Sequence, residues 1–150
     1  MHARAEVYSS GVVCLVVHSA TDLPSVDLTS KSDPYFTISF LNSGRLWYAS
    51  RCVSNELNPN WEECAFHRVS EDQLQDRECL RLEVIDHDRF SADDKIGHLD
   101  ISLLHLSTKA GKWVTRTDAL ARSERDPKSY GTVTYSAGMY SVSGERMLVH

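Results

Sequence analysis

Strict two-residue alternation over Cys79 to Ile85 constrains the fold of this chain more than any other stretch. Leu80, Leu82 and Val84 fall on one side of an extended backbone, and Arg81 and Glu83 on the other. That is the pattern of a strand with one face in a core and one in water. Other short apolar runs repeat the theme: Gly11 to His18, Pro34 to Leu41, Arg45 to Val53, Trp61 to His67 and Lys95 to Ile101. A further strand begins at Trp113, and Gly131 to Tyr140 is the last. Turn-forming stretches such as Asn42-Ser43-Gly44 and Asn58-Pro59-Asn60 separate them, and Ser19 to Ser32 is a long loop. About eight strands at this spacing, with a short helical turn over Ser102 to Leu106, imply an all-β chain built as an antiparallel sandwich or barrel.

The 150 residues suffice for one domain. Residues 1–10 read as an N-terminal extension, 11–140 as the domain, and 141–150 as a loose tail, with a charged loop over Leu120 to Lys128. A composition 41% hydrophobic and 25% charged excludes disordered and fibrous classes. The net charge of −5 argues against a nucleic-acid partner. No apolar run is long enough to span a membrane, and Val12 to Val17 is too short for a signal-peptide core, so the chain reads as cytoplasmic. Cys14, Cys52, Cys64 and Cys79 sit in or beside apolar runs and are expected to be buried free thiols.

The chemistry is concentrated in two loops. One carries Asp27 and Asp33, and the other carries Asp86, Asp88, Asp93 and Asp94. Asp86 and Asp88, two residues apart on a chain leaving a strand, project the same way. If both loops emerge at one end of the sandwich, five carboxylates converge. Like charges about 4 Å apart repel by roughly 4 kcal/mol per pair at an effective dielectric near 20. A hard divalent cation relieves this, and calcium accepts six to eight oxygens in irregular geometry where magnesium demands a tight octahedron. Asp93 leans towards a surface role. An EF-hand beginning at Asp86 fails, with Ser91 in place of the glycine and Gly97 in place of the last glutamate.

Three strings in order resemble the C2 domain family. Asp22-Leu23-Pro24, Asp27 and Lys31-Ser32-Asp33-Pro34-Tyr35 are similar to its first calcium loop. Leu57-Asn58-Pro59-Asn60-Trp61 is similar to its Asn-Pro-x-Trp turn. Val84 to Ser91 followed by Asp93-Asp94-Lys95-Ile96-Gly97 resembles its third loop, close to the synaptotagmin form. The resemblance implies an eight-stranded antiparallel Greek-key β-sandwich. Because Gly131 to Tyr135 resembles the strand that comes first in synaptotagmins, it also implies the circularly permuted, type II strand order. It implies calcium as the cofactor, two ions held by Asp27, Asp33, Asp86, Asp88 and Asp94 with the carbonyls of Val26 and His87. Ser91 stands where some members ligate a third ion. Leu28 and Phe90 stand where members insert apolar side chains into membrane, and Arg89 is placed to meet lipid phosphate.

The implied function is calcium-dependent binding to anionic phospholipid membrane by a reversible targeting module, peripheral on the cytosolic face. Two calcium ions would take the net charge from −5 to −1, concentrated at one end. Arg45 to Arg51 offers only its two terminal arginines where phosphoinositide-binding members carry a lysine-rich strand, which favours phosphatidylserine. The alternative is a calcium-independent protein–protein interaction module of the same fold. No hydrolase motif is present, and the chain reads as non-enzymatic. Other domains of a larger parent protein are expected partners.

Overall fold

Alternation decides which way each strand faces. A computed structural model describes residues 10–25, 31–123, 125–126 and 128–141. The extension and tail expected from the sequence therefore lie, apart from Ser10 and Ser141, outside the described residues. Among the described residues eight strands form: β1 (Gly11–Thr21), β2 (Pro34–Phe40), β3 (Leu46–Ala49), β4 (Asn60–Val69), β5 (Cys79–Asp86), β6 (Asp94–Ser102), β7 (Val114–Ala119) and β8 (Thr132–Ser141). They make two four-stranded antiparallel sheets, ordered β4-β1-β8-β7 and β3-β2-β5-β6. The first described strand, β1, precedes the long loop, and the last, β8, returns into the slot beside it, between β1 and β7. This is the permuted order implied by the sequence.

Val13, Leu15 and Val17 of β1 face Phe36, Ile38 and Phe40 of β2 across the core, and none is more than 2% exposed. Leu80, Leu82 and Val84 are completely buried, as the alternation requires. The side between β3 and β4 is closed by polar-tipped aromatics. Tyr48 donates its hydroxyl to Glu63 at 2.5 Å, and Trp47 packs on His67 with ring centres 5.0 Å apart.

Three expectations are corrected. The strand expected over Arg45 to Val53 shortens to Leu46–Ala49. Beyond it, Ser50 N–H bonds Phe36 O and Val53 N–H bonds Pro34 O, a spacing that breaks the ladder. A helix not expected there, α1 (Glu71–Gln75), forms because Ser70 and Gln73 make a reciprocal capping box. The expected helical turn is α2 (Leu103–Ser107), capped by Ser102. The four thiols are free, but none is buried. Cys14 lies between inward-facing Val13 and Leu15, so the pleat turns it outward, and Cys64 is outward for the same reason on β4.

Sheet edges need protection from pairing with another chain. The outer edge of β7 is guarded by charges on its inward face. Arg116 bonds Asp118 through two nitrogens at 3.2 Å, and buried Tyr135 donates to Asp118 at 2.5 Å. Burial alone would raise the Asp118 carboxyl, but the hydrogen bonds from Arg116 and Tyr135 outweigh it and hold it below the usual carboxylate range. Tyr135→Phe is expected to destabilise the fold by about 2 kcal/mol, the worth of a buried hydrogen bond to a charge. A carboxyl depressed in the folded state contributes above its unfolded pKa and loses the contribution as pH falls through the folded value. Urea melts of the two proteins should therefore differ at pH 7 and draw together only as pH falls well below the ordinary aspartate pKa of about 3.9.

On the outer face of the same sheet a hydrogen-bonded row crosses the strands. Glu62 meets His18 Nδ1 at 2.7 Å, His18 Nε2 meets Ser136 Oγ at 2.9 Å, and Ser136 meets Thr115 at 2.8 Å. Glu62 is held at φ +47° beside a register shift in the β1–β4 pairing, which aims its carboxylate at the histidine. The order is that of an acid, base and nucleophile. Yet β8 is paired with both β1 and β7 at this point, so its backbone offers no free N–H pair to an oxyanion. The row is a cross-strand staple.

Candidate functional site

Register places the acidic loops together. Thr21 pairs with Thr132, Pro34 with Asp86, and Asp86 with Asp94. Loops 22–33, 87–93 and 120–131 therefore leave from one end, and Gly11 pairs with Ser141 at the other. Val26, Asp27 and Leu28 of the expected site lie outside the described residues.

Asp33, Asp86 and Asp94 lie at adjoining strand ends, where β2 and β6 begin and β5 stops. Asp86 is the last residue of β5, only 8% exposed, and its Oδ1 accepts the Asp33 N–H at 2.8 Å. Asp94 opens β6 directly opposite it. Asp33 in turn accepts the Asn55 N–H at 2.6 Å, while Asn55 Oδ1 accepts from Lys31 N–H. The His87 N–H donates to Asp33 O at 3.0 Å.

Asp88 turns into its own loop. Its oxygens accept from the Phe90 N–H at 2.8 Å, the Ser91 N–H at 3.2 Å and the Ser91 hydroxyl at 2.7 Å. Led by the Phe90 N–H, these bonds hold its carboxyl below the usual range. Ser91 is thereby committed to Asp88. Asp93, expected to lean to the surface, is exposed and also organises the loop. It accepts the Asp88 N–H at 2.9 Å, the Tyr35 hydroxyl at 2.6 Å and His87 Nδ1 at 3.2 Å. Its carboxyl is lowered, chiefly by the Asp88 N–H. The Tyr35 hydroxyl is pushed up to about 12 by burial and by Asp93. Among the described residues no three His, Cys, Asp or Glu side chains are gathered as a metal-holding group. Asp88 is turned into its own loop by Phe90 and Ser91, Asp93 is drawn to Tyr35 and His87, and Asp33 to the Asn55 N–H, which accounts for their spread.

Several residues shape this end without acidic charge. Buried Ser32 donates to Pro24 O at 3.0 Å, tying the two arms of the first loop. Asn58 Oδ1 accepts the Asp22 N–H, and Pro59 O accepts the Ala20 N–H, so the Asn-Pro turn braces that loop from below. Cys52 donates to Asp33 O at 3.2 Å, and its thiol, though exposed, is raised by partial loss of solvent and then by the charges of Asp33, Asp86 and Asp93. Only proximity in the fold, not spacing in the chain, could have tied Cys52 to the acids.

At the tip of loop 87–93, Phe90 is 92% exposed. It does not fold back on the sandwich. Neighbouring Arg89 is exposed and makes no ion pair among the described residues. Arg45 and Arg51 are both engaged: Arg45 reaches His67, and Arg51 donates to the carbonyls of Asn60 and Trp61.

The sequence profile of the C2 domain family matches residues 11–115. The chain is 36% identical over 137 residues to the meiotically up-regulated gene 190 protein of Schizosaccharomyces pombe, covering 91% of this chain and 12% of that protein. It is 42% identical over 90 residues to synaptotagmin-5 of Arabidopsis thaliana, covering 60% of this chain and 15% of that one. The calcium-bound structure of a pair of C2 domains from extended-synaptotagmin 2 superposes with a TM-score of 0.70 at 26% identity, over 86% of this chain and 45% of that one. The chain thus spans less than one fifth of the length of these two curated relatives. With the profile covering most of the chain and the sandwich in place beneath it, the chain belongs to the C2 domain family.

Proposed function

We propose that this chain is a calcium-dependent docking module for anionic phospholipid membrane. The observation that carries the reading is a row of acids at adjoining strand ends beside an apolar tip. Asp33, Asp86 and Asp94 flank one another there, with the Asp33 N–H on Asp86 Oδ1 at 2.8 Å, and Phe90 stands almost fully exposed on the loop between Asp88 and Asp94.

The donor set fits calcium chemically, since every acid named offers hard carboxylate oxygen. Asp27, Asp33, Asp86, Asp88 and Asp94 would hold two ions, with the Val26 and His87 carbonyls completing the shell and Ser91 available to a third. Bound calcium supplies positive charge and open coordination sites for headgroup oxygen. Asp88 would exchange its bonds to Phe90 and Ser91 for the ion. Phe90, with Leu28, then enters the interface while Arg89 meets phosphate, and phosphatidylserine is the preferred headgroup. No helix among the described residues is long and apolar enough to cross a membrane. Peripheral attachment at the cytosolic face follows from the reading, with further domains of a larger parent protein as partners.

Cosedimentation with vesicles tests this. Binding should require both calcium and phosphatidylserine, and Phe90→Ala should weaken it roughly 10-fold or more, given about 1.5–3 kcal/mol for a buried Phe side chain. Vesicle binding indifferent to calcium would overturn the reading. It would favour the calcium-independent interaction module, for which the hydrogen-bonded state of Asp88 and Asp93 already speaks.

A further inference from the structure

The end that carries the acidic loops also carries a third loop, of opposite charge. Residues 120–131 link β7 to β8 and are pinned at both stems. The Leu120 N–H bonds Gly131 O at 2.9 Å, the Tyr130 N–H bonds Leu120 O at 3.0 Å, and Ala121 exchanges two backbone bonds with His98. Gly131, at φ +96°, lies so close to the base of the first loop that an added Cβ would sit 2.8 Å from Thr21 O. Arg122 donates to Ile96 O at 3.0 Å and lays its guanidinium 4.0 Å over the Tyr130 ring. The Tyr130 hydroxyl bonds Asp126, which also accepts the Lys128 N–H.

This frame fixes the loop beside the start of β6 and leaves its cations outward. Arg125 and Lys128 are exposed, and neither makes an ion pair among the described residues. The Lys128 ammonium lies 5.7 Å from the Tyr130 ring and shares the charge of Asp126 with Arg122. Lys95, next to the residue that anchors Arg122, is 74% exposed and merely 3.9 Å from Glu83. Asp126, bonded to Tyr130, is a single carboxylate set against Arg122 and Lys128, and Glu124 lies outside the described residues. By contrast Arg45 and Arg51 on the β3 side are spent on protein contacts.

We infer that Lys95, Arg125 and Lys128 form a cationic flank that holds the anionic phospholipid surface on its own, before calcium is bound. The inference rests on the reading that this end faces the membrane. A lipid surface is the occupant because the flank lies at the same end as the exposed Phe90, so one flat anionic plane meets both. Calcium then adds to an attachment already oriented by the flank, and converts the acidic side from repulsive to attractive.

The test uses the full chain with phosphatidylcholine vesicles, with and without phosphatidylserine, in chelator at low and at physiological ionic strength. The wild-type chain should bind phosphatidylserine vesicles in chelator at low salt and lose binding as salt rises. The double variant Arg125→Gln, Lys128→Gln should bind about 25-fold more weakly, at about fivefold for each charge removed. Its melting temperature, and the rise in it on adding calcium, should match wild type. Wild-type vesicle binding absent in chelator at low salt, or unchanged in the double variant, would overturn the flank. So would equal capture by polyglutamate, which would assign the flank to acidic protein. A wild-type chain that shows no calcium-induced rise counts against the calcium reading alone, because the chelator arm still decides the flank.

Discussion

Calcium at a hundredfold excess over its dissociation constant is expected to stabilise the folded chain by about 2.7 kcal/mol, or roughly 8 °C in melting temperature. Asp86→Asn is expected to abolish that rise. Asp86 is the residue to change because it is the most buried of the described acids at the loop end and sits between Asp33 and Asp94. The amide keeps its shape and an oxygen to accept the Asp33 N–H. It also removes one of several like charges, so in chelator the variant should be as stable as wild type or slightly more so. This sign separates a ligand from a structural carboxylate. Were Asp86 mainly a fold-holding acceptor, the variant would melt lower in chelator and keep its calcium response. Asp93→Asn supplies the contrast. Asp93 accepts two hydrogen bonds within the loop and one from Tyr35 on β2, so its loss should lower the melt in chelator.

The fold was legible because its information is local. Alternation over Leu80 to Ile85 and over Pro34 to Phe40 fixes both strand and face, and the likeness of Gly131 to Tyr135 to a strand that comes first elsewhere in the family points to the permutation. The acids at strand ends were legible for the same reason: Asp33, Asp86 and Asp94 are placed by the ladders themselves. What the residues in between do was not. Asp93 and Asp94 are neighbours of one type, and only the position of the Tyr35 hydroxyl and His87 across the loop makes the first an organiser. The thiols failed for an avoidable reason, since an apolar run on a strand has two faces and only one is buried. Helix α1 was avoidable too, because Ser70 and Gln73 are three apart in a capping-box pattern. In the row from Glu62 through His18 to Ser136, the last two residues are 118 positions apart, and no spacing rule reaches that far.

Trp61→Ala is expected to cost about 3–5 kcal/mol, a large share of the roughly 5–15 kcal/mol that holds a typical domain. Trp61 is 1% exposed and meets Phe36 edge to face with ring centres 5.0 Å apart, so its removal opens a cavity between the sheets. Its indole N–H, buried without a partner among the described residues, will offset little of this, because the N–H accounts for a small part of the ring. The larger consequence is at the loops. Trp61 follows the turn whose Asn58 and Pro59 take the N–H groups of Asp22 and Ala20, and its own carbonyl accepts from Arg51. A turn that rocks on an empty core cannot hold the first acidic loop in register with β5. The variant should therefore need more calcium for half-maximal stabilisation, while Tyr135→Phe, which weakens the far edge of the sandwich, should leave that concentration unchanged. A melt lowered by less than about 1 kcal/mol would mean that the neighbouring side chains close the cavity. A normal calcium midpoint in a strongly destabilised Trp61→Ala chain would mean that the loop is braced from elsewhere.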